Sequence, residues 1–200
     1  MQTEIEAKFY PVNKGVFRKK LKTLGAKLII PERKMKTVLG DKRNNPNLNC
    51  DYIRIRDEGN LIRLSAKIHA KESGKLSDQK ETEIEVSDFG KMVEILKRSG
   101  LKLTYYQEKL RETWELEGAI ITIDTWPGLE TYSEIEASSE KEVKRIAEKL
   151  GFDWNKKIIA AGAEVFAKVY GLSIDNVLEK ISNITFDNNP FEGMKKIWPK

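Results

Sequence analysis

The sequence predicts an α+β protein whose frame is a set of antiparallel strands, about eight in number, with helices added after some of them. Three observations carry this reading. Apolar and polar residues alternate with a period of two along most of the chain. Short turn-forming peptides, such as Asp57-Glu58-Gly59-Asn60 and Glu117-Gly118, join neighbouring segments, which favours antiparallel pairing. The few stretches of helical periodicity follow strands and stop at Gly.

Taken in order, segment 2–9 sets Ile5, Ala7 and Phe9 against Glu4, Glu6 and Lys8. A helix opens near Asn13, carries Val16, Phe17, Leu21 and Leu24, and ends at Gly25. A less regular strand covers 28–39. Segment 50–57 sets Ile53 and Ile55 against Arg54 and Arg56, and 61–69 sets Ile62, Leu64, Ala66 and Ile68 against Arg63, Ser65, Lys67 and His69. After strand 79–87, Ser87 is the expected N-cap of a helix carrying Phe89, Met92, Val93 and Leu96 to Gly100. Strands 103–116, 118–126 and 131–138 follow. Ser139-x-x-Glu142 reads as a capping box for a helix with Val143, Ile146, Ala147 and Leu150 before Gly151. Two short helices are expected at 157–170 and from Ser173, and the segment Phe186–Lys200 is expected to be poorly ordered. The predicted division is a strand-rich domain over 1–155 and a helical extension with a tail over 156–200.

A chain of 200 residues with 40% hydrophobic and 34% charged residues is large enough for a core and carries a heavy charge load. A single cysteine, Cys50, excludes a disulfide framework, and a single histidine, His69, excludes a His-based zinc site. The same scarcity argues against a Ser-His or Cys-His hydrolase. The start of the chain does not read as a signal peptide and no apolar run reaches a membrane-spanning length, so the expected location is the cytoplasm. The net charge of +5 points to an anionic partner.

The order of the charges is more informative than their excess. Polar strand faces are sorted by sign in i, i+2 pairs: Glu4/Glu6, Glu83/Glu85, Glu134/Glu136, Arg54/Arg56 and Lys109/Arg111. Such pairs project to the same side of a strand, about 7 Å apart, and repel unless something lies between them. The tripeptide Glu-Ile-Glu occurs at 4–6, 83–85 and 134–136, each time ahead of a helix that ends in Gly. If the sheet closes into a barrel, Glu4, Glu6, Asp124, Glu134 and Glu136 would hold Mg²⁺ or Mn²⁺ through oxygen ligands. Lys8, Arg54, Arg56, Lys67, Lys109 and Arg111 would then surround a chain of phosphates.

These residues have a familiar arrangement. Glu4-Ile5-Glu6-Ala7-Lys8 resembles the ExExK signature of the CYTH superfamily, the triphosphate tunnel metalloenzymes. Tyr52–Gly59 with its RxR pattern, Ser65-Ala66-Lys67, Lys109-Leu110-Arg111, and Ile123–Leu129 followed by Ser133-Glu134-Ile135-Glu136 resemble later motifs of that family in the same order. The resemblance covers roughly 2–154 and implies an eight-stranded antiparallel barrel, a tunnel that binds triphosphate with a divalent metal. By match to the motifs, Glu4, Glu6, Asp124, Glu134 and Glu136 would be metal ligands, and Lys8, Arg54, Arg56, Lys67, Lys109 and Arg111 phosphate ligands, with Glu4, Glu6 and Lys8 at the catalytic centre. Glu83 and Glu85 would form an additional acidic strand, and Lys36 a further phosphate contact.

The expected activity is a metal-dependent triphosphatase acting on inorganic tripolyphosphate, a nucleoside triphosphate or thiamine triphosphate by water attack on the terminal phosphate. The alternatives are a class IV adenylyl cyclase making cyclic AMP and pyrophosphate from ATP, and a non-catalytic nucleotide or polyphosphate sensor. The partner is a small-molecule triphosphate and the protein a monomer or homodimer. Nucleic acid is disfavoured, because Lys19, Lys20, Lys22 and Lys27 read as a solvated helix face and aromatics beside the basic strands are sparse.

Overall fold

The computed structural model describes residues 2–68, 79–159 and 162–199, with the backbone alone at Gln2–Glu4 and Gln79. His69 and the pair Ala160-Ala161 lie outside the described residues. The main strands are β1 (Gln2–Glu4), β2 (Glu6–Phe9), β3 (Lys27–Asp41), β4 (Tyr52–Asp57), β5 (Ile62–Ile68), β6 (Gln79–Val86), β7 (Tyr105–Leu116), β8 (Ala119–Thr125) and β9 (Tyr132–Glu136). The helices are α1 (Lys14–Thr23), α2 (Phe89–Arg98), α3 (Glu140–Lys149), α4 (Gly162–Tyr170) and α5 (Ile174–Lys180). A two-residue strand, β10 (Asn183–Ile184), follows.

The predicted eight-stranded antiparallel barrel is present, with its first strand in two parts. The ladder runs β6-β5-β4-β3-β7-β8-β9, and the N-terminal segment joins its two ends: β1 pairs with β6, and β2, one residue later, pairs with β9. The break at Ile5 lets one short segment satisfy both edges, which would otherwise present unpaired backbone groups. The three Glu-Ile-Glu segments therefore become neighbours around the wall. β10 was not anticipated; it pairs parallel to β7 at Tyr106 and Gln107. The β7–β8 turn needs two positive φ values, 50° at Glu117 and 80° at Gly118, the geometry of a tight hairpin for which Gly is suited.

The hydrophobic core lies outside the barrel wall. The apolar rows of β2, β7, β8 and β9, including Phe9, Trp114, Ile121, Ile123 and Ile135, pack against Phe17 and Leu21 of α1 and Val143, Ile146 and Leu150 of α3. Period-two alternation then sends the charged rows inward. α3 starts at Ser139, whose hydroxyl accepts from the Glu142 amide at 3.2 Å, as the capping box predicts. α2 is capped by Asp88 and not by Ser87. The Asp88 carboxylate accepts from the Lys91 amide at 2.8 Å, which places the helix start one residue later than expected.

A second apolar cluster joins α4, α5 and the C-terminal segment to Tyr105, Leu129 and Tyr132 of the barrel. The expectation of a poorly ordered tail is corrected here. Phe191 is 2% exposed, with ring centroids 4.6 Å from Phe166 and 4.7 Å from Tyr170. The Ile197 amide donates to the Val169 carbonyl at 2.7 Å, and Trp198 stacks on Tyr10 at 5.3 Å. Widely spaced aromatic anchors hold a segment whose composition is polar. No helix among the described residues is long and apolar enough to cross a membrane.

Candidate active site

The inward rows enclose a cavity of about 640 Å³, within the range of small-molecule sites. The charges around it are sorted by sector. β9 contributes Glu134 and Glu136, β2 Glu6 and Lys8, and β6 Glu81 and Glu83, so an acidic arc runs across the strands joined by the N-terminal segment. β5 contributes Arg63 and Lys67, β4 Arg54 and Arg56, and β7 Lys109 and Arg111, which form a basic arc.

Two buried lysines show how different the arcs are. The Lys8 ammonium is 2.8 Å from Glu6 and 3.4 Å from Glu134. Burial alone would depress its pKa, yet the two carboxylates hold it above the ordinary lysine value. Lys109 behaves in the opposite way. Burial and the neighbouring Arg111 push it down to about 8, despite Asp124 at 2.8 Å. Burial, Arg54 and Arg111 likewise lower Arg56; its nearest carboxylate, Glu58, is 3.6 Å away, and its Nε has no hydrogen-bond partner among the described residues. Arg56 and Lys109 are thus crowded by neighbouring cations, whereas Arg54 pairs with Glu81 at 2.7 Å and Arg111 with Asp124 and Glu134.

The acidic arc has its own crowding. Glu6 and Glu136 are directly opposite on β2 and β9. Burial, Glu6 and Glu134 together raise the Glu136 carboxyl above its ordinary range. Glu134 is held well below that range: burial opposes its charge, but Arg111, Lys8 and Lys109 outweigh it.

The CYTH domain family model matches residues 2–168. The chain belongs to the CYTH family. Among solved structures, this CYTH chain is similar to the PH1012 protein of Pyrococcus horikoshii, with 22% identity, TM-score 0.67, and coverage of 79% of this chain and 96% of that one. It is also similar to a candidate adenylate cyclase from Vibrio parahaemolyticus, with 12% identity, TM-score 0.68, and coverage of 83% and 98%. A third is a Hippeastrum candidate adenylyl cyclase described as having a dominant triphosphatase activity, with 16% identity, TM-score 0.54, and coverage of 86% and 99%. At these identities the likeness establishes the fold. A comparison with curated proteins finds no match.

Within this CYTH barrel most of the sequence-predicted residues converge. Glu6, Lys8, Arg54, Arg56, Lys67, Lys109, Arg111, Glu134 and Glu136 all line the one cavity, as does Glu83. Others fall elsewhere. Lys36 is exposed and on the outer row of β3, because the inward row is Met35, Thr37 and Leu39. Glu85 shares the row of Glu83 but is exposed beyond the cavity lining. Asp124 is wholly buried: Lys109 donates to one carboxylate oxygen at 2.8 Å, and Arg111 spans both, with Nε at 2.7 Å. It faces inward behind two cations and is not part of the cavity surface. The side chain of Glu4 lies outside the described residues.

Sequence reasoning missed Glu81, Glu58 and Arg63. Glu81 pairs with Arg54 at 2.7 Å, and period two from Glu83 and Glu85 was the available signal for it. Glu58, read as a turn residue, instead ties Arg33 at 3.0 Å to Arg56 and Arg63. Arg63 carries the Glu83 pair across from β6.

Among the described residues, no three carboxylates are arranged as a ready metal site. The donor chemistry nevertheless fits a hard divalent cation. Glu6 and Glu134 already share the Lys8 ammonium, and Glu136 is a carboxylate raised by burial and by the like charges of Glu6 and Glu134.

Proposed function

We propose that the protein is a divalent-metal-dependent triphosphatase that holds a triphosphate along the basic arc and hydrolyses it at the terminal phosphorus. The observation that carries this reading is the sorting of one cavity into an acidic arc and a basic arc, the latter setting Arg56 and Lys109 among neighbouring cations. A polyanion adds countercharge at Arg56 and Lys109, whose charged forms burial and neighbouring cations disfavour, and a divalent cation relieves the crowding at Glu136. The Hippeastrum neighbour's described triphosphatase activity is consistent with it.

In this reading Glu6 and Glu136, with Glu134 and the motif residue Glu4, hold Mg²⁺ or Mn²⁺. Arg54, Arg56, Lys67, Lys109 and Arg111 bind phosphate oxygens, the guanidinium groups in a forked geometry. Asp124 fixes Lys109 and Arg111 from behind. Lys8 pairs with Glu6 and Glu134 and holds them in place. When bound, the metal neutralises phosphate oxygens and lowers the pKa of attacking water. The water oxygen bonds to the terminal phosphorus as that phosphorus separates from the bridging oxygen; the electron pair leaves with the diphosphate, and the water proton passes to solvent. Such chemistry depends on charge neutralisation and in-line positioning, and neither His nor Cys is needed. We assign the chemistry to residues 1–155 and the closing of one side of the cavity to 156–200, in a cytoplasmic enzyme.

Incubation with tripolyphosphate, ATP or thiamine triphosphate and Mg²⁺ or Mn²⁺, with separation of the products, tests the proposal. Orthophosphate with the matching diphosphate is the expected result. Cyclic AMP with pyrophosphate, or tight binding without turnover, would overturn hydrolysis in favour of cyclisation or sensing.

A further inference from the structure

The hydroxyl of Tyr132 is buried near the cations, and the protein around it uses only half of its hydrogen-bonding capacity. Tyr132 opens β9, is 2% exposed and lines the cavity in the same inward row as Glu134 and Glu136. The Trp126 indole N–H donates to its oxygen at 2.9 Å. A phenol carries one donor besides its acceptor lone pairs, and with a lone pair turned to the indole the proton is turned away from it. Among the described residues no group accepts that proton. The carboxylates on this side of the barrel are committed elsewhere. Asp124, directly opposite Tyr132 on β8, takes Lys109 and Arg111. Glu134 takes Arg111 and lies 3.4 Å from Lys8. A buried donor without an acceptor is costly, so this hydroxyl is matched to an acceptor that enters the cavity.

Its neighbours decide what that acceptor is. The indole that fixes the hydroxyl also carries the Lys109 ammonium 5.7 Å over its ring. Phe166 meets the same indole edge-on, with centroids 6.1 Å apart at 88°, and holds it in place. Lys109 from β7 and Tyr132 from β9 are thus gathered around one ring. Both are donors, so a ligand atom met by both must accept, and beside an ammonium it is best anionic. A phosphoryl oxygen meets both conditions, and a hydrogen bond to a charged oxygen is among the stronger kinds. A divalent cation does not, because the phenol proton would face it. A neutral donor also has an advantage here over another cation. Arg56 and Lys109 are already crowded by Arg54 and Arg111, and the phenol adds a hydrogen bond without adding charge.

We propose that Tyr132 donates its hydroxyl proton to an oxygen of the phosphoryl group held by Lys109, so that this group is gripped from two strands. The inference rests on the triphosphate reading above and adds to it a phosphate-binding residue that lies outside the charge pairs.

The test titrates tripolyphosphate calorimetrically into the wild type, Tyr132→Phe, Trp126→Phe and the double variant, with melting curves as a check on folding. Without added metal the proposed reaction does not run during the titration. Tyr132→Phe keeps the ring and should fold, yet bind tripolyphosphate about ten-fold more weakly or worse. The same loss should appear when Tyr132→Phe is made in the Trp126→Phe background, because the donor acts on the ligand itself. A loss that vanishes in that background would show that Tyr132 only anchors the indole, and overturns the inference. Unchanged affinity in a folded Tyr132→Phe also overturns it, and in both cases the triphosphate reading stands. If Trp126→Phe does not fold, the affinity of Tyr132→Phe alone decides. Failure of the wild type to bind tripolyphosphate, with Mg²⁺ or without, overturns the triphosphate reading and this inference with it.

Discussion

The Lys109 ammonium sits 2.8 Å from the Asp124 carboxylate, which is wholly buried and is also held by Arg111. Burial and Arg111 already push Lys109 down to about 8 with this partner in place, so Asp124→Asn should favour its neutral form at pH 8. One negative and one positive charge are then lost together. The net charge is unchanged, but a charged phosphate donor has gone. A hydrogen bond to a charged group contributes about 1.5–3 kcal/mol, so tripolyphosphate should bind about ten-fold more weakly or worse. Calorimetric titration at pH 8 measures this. Lys109→Met should cost much less in the Asp124→Asn background than in the wild type, giving a strong coupling in the double-mutant cycle; additive losses would refute the clamp.

Glu136 gives a two-sided prediction. It opposes Glu6 across the β2–β9 pair, and burial, Glu6 and Glu134 raise its carboxyl. Glu136→Gln removes an oxygen donor of the proposed metal site and should weaken Mn²⁺ binding about ten-fold or more. The same change relieves repulsion, so the Tm measured in a chelator should be unchanged or slightly higher. A variant that lost stability and kept Mn²⁺ would assign Glu136 a structural part instead.

The inner rows were legible because period two is enforced by the pleat: once Glu134 and Glu136 face the cavity, Ile135 must face the core. Asp124 shows where that logic stops. Its partners come from β7 through the Arg111–Asp124 register, and a single strand's alternation does not reveal which charge on the next strand will reach it. Lys36 failed for a related reason. The run Arg33-Lys34-Met35-Lys36 places cations on both faces, and β3 shifts register between Leu28 and Ile30 and again between Ile30 and Arg33, so charge alone could not choose the inward row. Glu58 lies past the end of β4, where periodicity no longer speaks. The split of the first strand at Ile5 follows from closing the barrel, which is a property of all the strands at once.

Glu58 sets an acid limb to the stability curve. Burial opposes its charge, but Arg56, Arg63 and Arg33 together keep its pKa below the ordinary 4.5. A carboxyl whose pKa is lower in the folded chain contributes stability that is present above 4.5 and is lost as pH falls through the folded-state value. Glu58→Gln should therefore cost about 1–3 kcal/mol at pH 7. It should also flatten the fall in stability below pH 4.5, as followed by urea denaturation between pH 3 and 7. A parallel downward shift at every pH would show that Glu58 acts by packing and not by charge.

Phe191 tests whether the C-terminal segment is part of the fold. Its ring stacks on both Phe166 and Tyr170, and it is 2% exposed. Truncating a buried aromatic of this kind costs about 3–5 kcal/mol. Because Phe166 also lines the cavity and meets Trp126 edge-on, loosening its outer neighbour should be felt inside the cavity. Phe191→Ala should therefore lower the Tm and, below that Tm, reduce turnover of tripolyphosphate. An unaltered melting curve would mean that the Phe191 ring contributes nothing to the stability of the folded core. Unchanged turnover in the folded variant would mean that the disturbance stops short of the contact chain from Phe166 through Trp126 to Lys109, whose members lie 6.1 and 5.7 Å apart.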